Sequence, residues 1–176
     1  KVGKAEKEAM GIAEARGGAR GPENVWGSAA VAAICGLLAV YSPWDSSIFK
    51  LGYAASLATK LSDTMASEIG KAYGKTTYLI TTFQRVPAGT EGAVSVEGTV
   101  AGVAGSAVLG LYAWLMGLVS PLGFGLCLVA AAVATTAESV IGATAQGKYP
   151  WLTNEVVNFV NTAIGAAVAV GGFLSI

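Results

Sequence analysis

The sequence predicts an all-α, polytopic transmembrane helical bundle, and three observations carry that prediction. Charged residues make up only 12% of the chain, where soluble globular domains carry about 25%, so lipid is the expected main solvent. Uncharged runs close to the ~20 residues that cross a hydrocarbon core recur along the chain. Within those runs small residues recur at four-residue spacing, which lets helix backbones approach each other inside a membrane. About five spans are visible, and residues 1–176 read as one integral-membrane domain.

Residues 1–23 form a charged, helix-compatible segment that closes with Gly17, Gly18, Arg20, Gly21 and Pro22. A solvated helix and turn accounts for it; so does an anion-binding concavity that uses Arg16 and Arg20 ahead of a membrane helix. The chain opens at Lys1 on polar residues without an initiator Met, and we expect N-terminal material, including further spans, to precede it. Residues 25–41 (VWGSAAVAAICGLLAVY) are the first visible span. The turn at 41–47 follows, with Pro43 and the interfacial aromatics Tyr41 and Trp44. Residues 48–70 form the second span, and its last turns run into TKLSDTMASEIGKAYGK (59–75), where Lys60, Asp63, Glu68, Lys71 and Lys75 gather.

Residues 74–97 are a polar excursion whose threonines and β-branched neighbours allow a short hairpin or an extended loop. The third span, 98–119, is uncharged and repeats Gly98, Gly102, Ser106 and Gly110 every fourth residue. Pro121 marks a tight turn. The fourth span, 122–146, carries Glu138 in its later half, and a fifth, 152–176, begins LTNEVVNFVN with Asn154, Asn158 and Asn161 on one helix face.

Charge excludes several function classes. Eleven Lys and Arg balance eleven Asp and Glu, so no net field draws in a nucleic-acid polymer. The chain has no His, which excludes any His-dependent mechanism. Cys35 and Cys127 sit in apolar runs without partners at metal-ligand spacing and read as buried free thiols. Ten of the eleven basic residues belong to, or border, the N-terminal segment, the 70–97 loop and the turn at 147, with Lys50 the exception. The positive-inside rule then turns that face toward the cytoplasm or its equivalent.

Four polar blocks meet at this face: SDTMASEIGK, PAGTEGAVSVEGTVAG, ESVIGATAQGK and WLTNEVVNFVN. Together they supply Asp63, Glu68, Glu91, Glu97, Glu138 and Glu155 with the amides of Asn154 and Asn158. Oxygen donors without His or Cys select a hard cation, Mg²⁺ foremost. Lys60, Lys71, Lys75 and Arg85 would hold phosphates beside it, and phosphoryl transfer needs little beyond such positioning and neutralisation. Gly89, Thr90, Gly98 and Thr99 lie on a loop dense in backbone donors that leads into a helix N-terminus, which suits phosphate. Asp63 and Glu68 could instead pair with Lys60 and Lys71 for structure alone. Glu138, inside an apolar run, needs a metal, a cation or a proton.

SDTMASEIG, GTEGAVSVEGTVAG, ESVIGATAQ and LTNEVVN resemble, in that order, the signature blocks of the integral-membrane family that includes the phytyl-phosphate kinase of plant and cyanobacterial tocopherol synthesis. The resemblance covers nearly the whole chain. That family in turn looks like a distant relative of the CTP-using phytol and dolichol kinases. Their aspartate block and E-G-S/T-x-A-G block are matched by Asp63 and by Glu97, Gly98, Thr99, Ala101 and Gly102. The soluble kinases' Walker lysine loop and protein-kinase motifs are absent.

The resemblance implies a membrane kinase that converts a prenyl monophosphate to the diphosphate with a nucleoside triphosphate, CTP being favoured. It implies Asp63 and Glu97 as Mg²⁺ ligands, with Glu68, Glu91, Glu138 and Asn154 as further candidates. It also implies a cyanobacterial or plastid membrane, with the active face toward cytoplasm or stroma. A lipid or ion transporter is the alternative, but it should repeat its polar positions in two halves, and no internal repeat is visible. A structural or assembly protein would explain the glycines and not the one-sided acids.

Overall fold

The computed structural model describes residues 3–12 and 21–176, so Arg16 and Arg20 lie outside the described residues. Within them are the helices α1 (Lys4–Ala9), α2 (Pro22–Tyr41), α3 (Ser46–Tyr73), α4 (Val96–Leu115), α5 (Pro121–Thr144) and α6 (Asn154–Leu174). A small antiparallel pair, β1 (Tyr78–Leu79) and β2 (Ala93–Val94), matches Tyr78 with Val94 and Leu79 with Ala93. This is the expected all-α bundle, and of the hairpin and extended loop that its long polar loop allows, the hairpin forms.

The boundaries follow from local chemistry. Pro22 stands in the first turn of α2, where its missing N–H costs nothing. Asp45 caps α3 by accepting from the Ser47 N–H at 2.9 Å and the Ser47 hydroxyl at 2.7 Å. Those bonds hold the Asp45 carboxyl below its usual range. Ser95, Ser120 and Thr153 cap α4, α5 and α6 by accepting from the N–H of Gly98, Gly123 and Val156. α4 stops at Leu115, earlier than the uncharged run suggests, because Gly117 turns the chain at φ 70°.

Among the described residues, α2, α4, α5 and α6 are long and apolar enough to cross a membrane. They turn large side chains such as Ile34, Val40, Val100, Val108, Leu111 and Val129 outward. The shared interior is built of small ones, including Ala54, Ala55, Ala58, Ala113, Cys127, Ala130 and Ala169 around Leu51. A surface more apolar and bulkier than the core suits lipid as the surrounding solvent. Cys127 is buried and Cys35 half-buried, and both are free thiols.

α3 differs. It packs against α2, α4, α5 and α6 alike, so the least apolar of the long helices is the one enclosed by the others. Its 28 residues extend about 42 Å, beyond the ~30 Å hydrocarbon core. Its charged last turns therefore have room to stand at the headgroup level.

Close approach fixes α4 on α3. A Cβ added at Gly98 would come 2.7 Å from the Ala66 carbonyl oxygen, and one at Gly102 would come 3.1 Å from that of Ser62. Gly105 continues this ridge against Met65, whereas Gly110 faces Phe124 of α5. The four-residue ridge thus serves two neighbours, because α4 crosses from α3 onto α5 along its length.

Candidate active site

A cavity of about 270 Å³ opens at the end of the bundle where the polar loops gather. Helical phase decides which side chains reach it. On α3 the stripe is Lys60, Asp63, Thr64, Ser67 and Lys71; on α5 it is Thr135, Glu138, Ser139, Gly142 and Gln146. Both run at three- and four-residue spacing, one face of a 3.6-residue helix. Asn154 and Asn158 supply the α6 wall. The loop closes the remaining side with Gly89, Thr90, Glu91, Gly92 and the residues leading through Ser95 to Gly98 and Thr99.

A half-buried polar relay ties three helices together. Lys60 Nζ donates to Asp63 Oδ2 at 2.8 Å and to Asn158 Oδ1 at 2.6 Å. Asn161 Nδ2 donates to Glu138 Oε2, and the Glu138 carboxyl lies beside Asp63, with Lys60 and Glu91 within electrostatic reach. Asn158 and Asn161 are 2% and 1% exposed. Such a network is costly to assemble in a membrane interior unless it has a use.

The expected site residues sort accordingly. Lys60, Asp63, Lys71, Gly89, Thr90, Glu91, Gly98, Thr99, Glu138, Asn154 and Asn158 line the cavity. Glu68 does not. It falls one residue past Ser67, about 100° further round the helix, and accepts from Lys7 Nζ of α1 at 2.7 Å. Its partner is therefore neither Lys60 nor Lys71, and its role is to hold α1 against α3.

Glu97, Lys75 and Arg85 are also absent from the lining. Glu97 precedes the inward-facing Gly98 by one residue and so points elsewhere, half-exposed in the first turn of α4. Lys75 is exposed just past the end of α3, and Arg85 is exposed opposite Tyr78 in the hairpin. Ser67 falls on the Asp63 face, as its four-residue spacing predicts, whereas Ser139, Gly142 and Gln146 were not singled out, although a phase count from Glu138 would have found them. The sequence reading placed Asn161 on the right helix face without its partner, Glu138.

Gly92 is what brings the loop against α5. Its φ is 75°, and an added Cβ would stand 2.5 Å from the Ala143 nitrogen and the Ser139 carbonyl oxygen. Gly142 returns the close approach from the helix side. Gly92→Ala should therefore lower stability by about 2 kcal/mol through strain and overpacking. It should also move Thr90 and Glu91 off the cavity, whereas Gly125→Ala, with nothing near the new Cβ, should be neutral in thermal unfolding.

The donors present are chemically of one kind. Asp63, Glu91 and Glu138 face Lys60 and Lys71, with amide oxygens beside them and neither imidazole nor thiolate. Among the described residues no three His, Cys, Asp or Glu side chains stand ready as a closed metal cage. Mg²⁺ does not need one, since it binds through one or two carboxylates and completes its shell with water and substrate phosphates. The paired acids Asp63 and Glu138 fit that requirement.

The family described as integral membrane protein DUF92 matches residues 1–166 of the chain. An uncharacterized membrane protein of Synechocystis sp. is 59% identical over 172 residues, covering 97% of this chain and 67% of that protein. The chloroplastic protein VTE6 of Arabidopsis thaliana is 47% identical over 175 residues, covering 97% of this chain and 53% of its own length. An uncharacterized membrane protein of Methanocaldococcus jannaschii is 34% identical over 172 residues, covering 97% of this chain and 68% of that protein. The chain thus spans about half to two thirds of the length of these relatives. No solved structure matches it.

Proposed function

Because the chain belongs to the integral membrane protein DUF92 family, we propose that it is a membrane kinase converting a prenyl monophosphate, phytyl phosphate foremost, to the diphosphate. The phosphoryl donor is a nucleoside triphosphate, CTP by the motif resemblance, and the pathway is prenyl-lipid synthesis of the tocopherol type. One observation carries this reading. Three acids, two lysines and the loop that leads into the start of α4 converge on one cavity at the end of a lipid-facing bundle.

Each group has a role that its position supports. Asp63 and Glu138 would hold Mg²⁺, with Glu91 and the amide oxygen of Asn154 at the rim; bound there, the ion supplies charge neutralisation for the phosphates. Lys71 lies one helical turn beyond Ser67 toward the open end, where a triphosphate would meet it. Lys60, deeper and already tied to Asp63 and Asn158, stabilises the acid pair and is placed to meet the acceptor phosphate. The Gly89–Glu91 turn and the Ser95–Thr99 start of α4 wall the same space, although the Thr90, Gly98 and Thr99 N–H groups are already given to Pro87 and Ser95. The attacking oxygen of a prenyl monophosphate is already anionic, so no general base is required, and catalysis reduces to alignment and neutralisation.

The prenyl chain would run from the cavity into the bilayer, and the active face would look toward cytoplasm or stroma. Product analysis tests the reaction. Purified full-length protein given a prenyl monophosphate and a nucleoside triphosphate should yield prenyl diphosphate and nucleoside diphosphate in equal amounts. Nucleotide hydrolysis without a prenyl product, or no turnover with any common nucleoside triphosphate, would contradict the assignment.

A further inference from the structure

Resting on the metal-dependent reading above, we propose that Asn161 is the positioning residue that fixes the Glu138 carboxylate against Asp63. Asn161 is not among the residues lining the cavity, so it acts through Glu138 and not by touching substrate. Its Nδ2 donates to Glu138 Oε2 across the α5–α6 interface. One turn nearer the loop, Asn158 accepts from Lys60, which in turn donates to Asp63. Both acids are thereby held from α6, one directly and the other through Lys60.

The unmet valences point to the same use. Asn158 Nδ2 and Asn161 Oδ1 are buried without a protein partner, and a half-satisfied amide costs more there than an apolar side chain would. The Asn161 Nδ2 is given to Glu138, so its Oδ1 is the atom left over, buried without a partner on the Glu138 side of α6. Without the donor on α6, Glu138 keeps only its contact with Asp63 and loses the bond that fixes it from the opposite side. Groups that orient metal ligands in this way typically govern 10- to 100-fold of affinity.

Electron paramagnetic resonance titration of the full-length protein with Mn²⁺ tests the assignment. Asn161→Leu fills the same space without the donor and should weaken Mn²⁺ binding at least ~10-fold. It should raise the Mg²⁺ requirement of turnover while leaving the KM for prenyl phosphate close to the parent's. Thr162→Val is the comparison: Thr162 is fully buried on the same helix, but its hydroxyl donates only to the Phe159 carbonyl of its own helix. It should leave Mn²⁺ affinity within about twofold, since no acid loses a partner.

Parent-like Mn²⁺ binding by folded Asn161→Leu would overturn the positioning role, as would an equal loss in Thr162→Val. Should Asn161→Leu fail to fold, Asn161→Ser, too short to reach Glu138, takes its place in the same titration with the same two outcomes. A parent protein that binds no Mn²⁺ would overturn the metal reading itself, and the positioning role with it.

Discussion

Asp63→Asn should lower prenyl-phosphate phosphorylation at least ~100-fold, equivalent to about 2.7 kcal/mol of transition-state stabilisation. The substitution keeps the side chain's size and leaves an amide oxygen for Lys60 to donate to, so the relay between α3 and α6 persists. What it removes is the charge of the acid that stands beside Glu138. The protein should fold, with Glu138 left to balance Lys60, and the loss should fall on the rate per folded molecule. Glu68→Gln supplies the contrast. Its carboxylate holds Lys7 of α1 outside the cavity, so the change should loosen the docking of α1 and leave the rate within a few-fold of the parent. Equal rate losses in the two variants, measured at equal folded protein, would remove Asp63 from its special place.

Chelation should act more completely. With EDTA in excess, phosphorylation should fall to background and return on adding Mg²⁺ or Mn²⁺. Three carboxylates line the cavity against two lysines, and two phosphorylated substrates would bring several more negative charges into the same space. At a membrane boundary of low dielectric that repulsion is not screened away. Undiminished turnover in EDTA would show that the lysines and backbone donors suffice.

Much of the scaffold was legible because lipid imposes a blunt compositional rule. The spans follow from local residue chemistry, and of the hairpin and extended loop that 74–97 allows the chain takes the hairpin; the caps at Ser95, Ser120 and Thr153 were not read in advance. Which helix stands at the centre was harder to see, and the signal was inverted: α3 is enclosed because it is the most polar long helix. The candidate site was legible as a set of blocks but not at the level of single side chains. Glu68 and Asp63 are five residues apart, and Glu97 adjoins Gly98. Only helical phase separates the member that faces the cavity from the one that does not. The Glu138–Asn161 bond joins α5 to α6, so no local pattern announces it. Lys7 shows the same limit from the other side. A lysine in a charged, solvated-looking segment is 7% exposed, because its partner lies on α3.

The central claim is that both phosphorylated substrates meet in the cavity walled by α3, α5, α6 and the start of α4. A single cysteine at Ser139, which lines that cavity, tests it most directly when Cys35 and Cys127 have been replaced and a matching protein carries its cysteine at Thr82, exposed on the hairpin. With a small thiol reagent, prenyl monophosphate together with Mg²⁺ and nucleoside triphosphate should slow modification of Ser139→Cys at least ~10-fold, as expected for a site occupied about nine-tenths of the time, and leave Thr82→Cys unchanged. Modification of Ser139→Cys at an unaltered rate, in a preparation that is turning over substrate, would place the chemistry elsewhere and contradict the account.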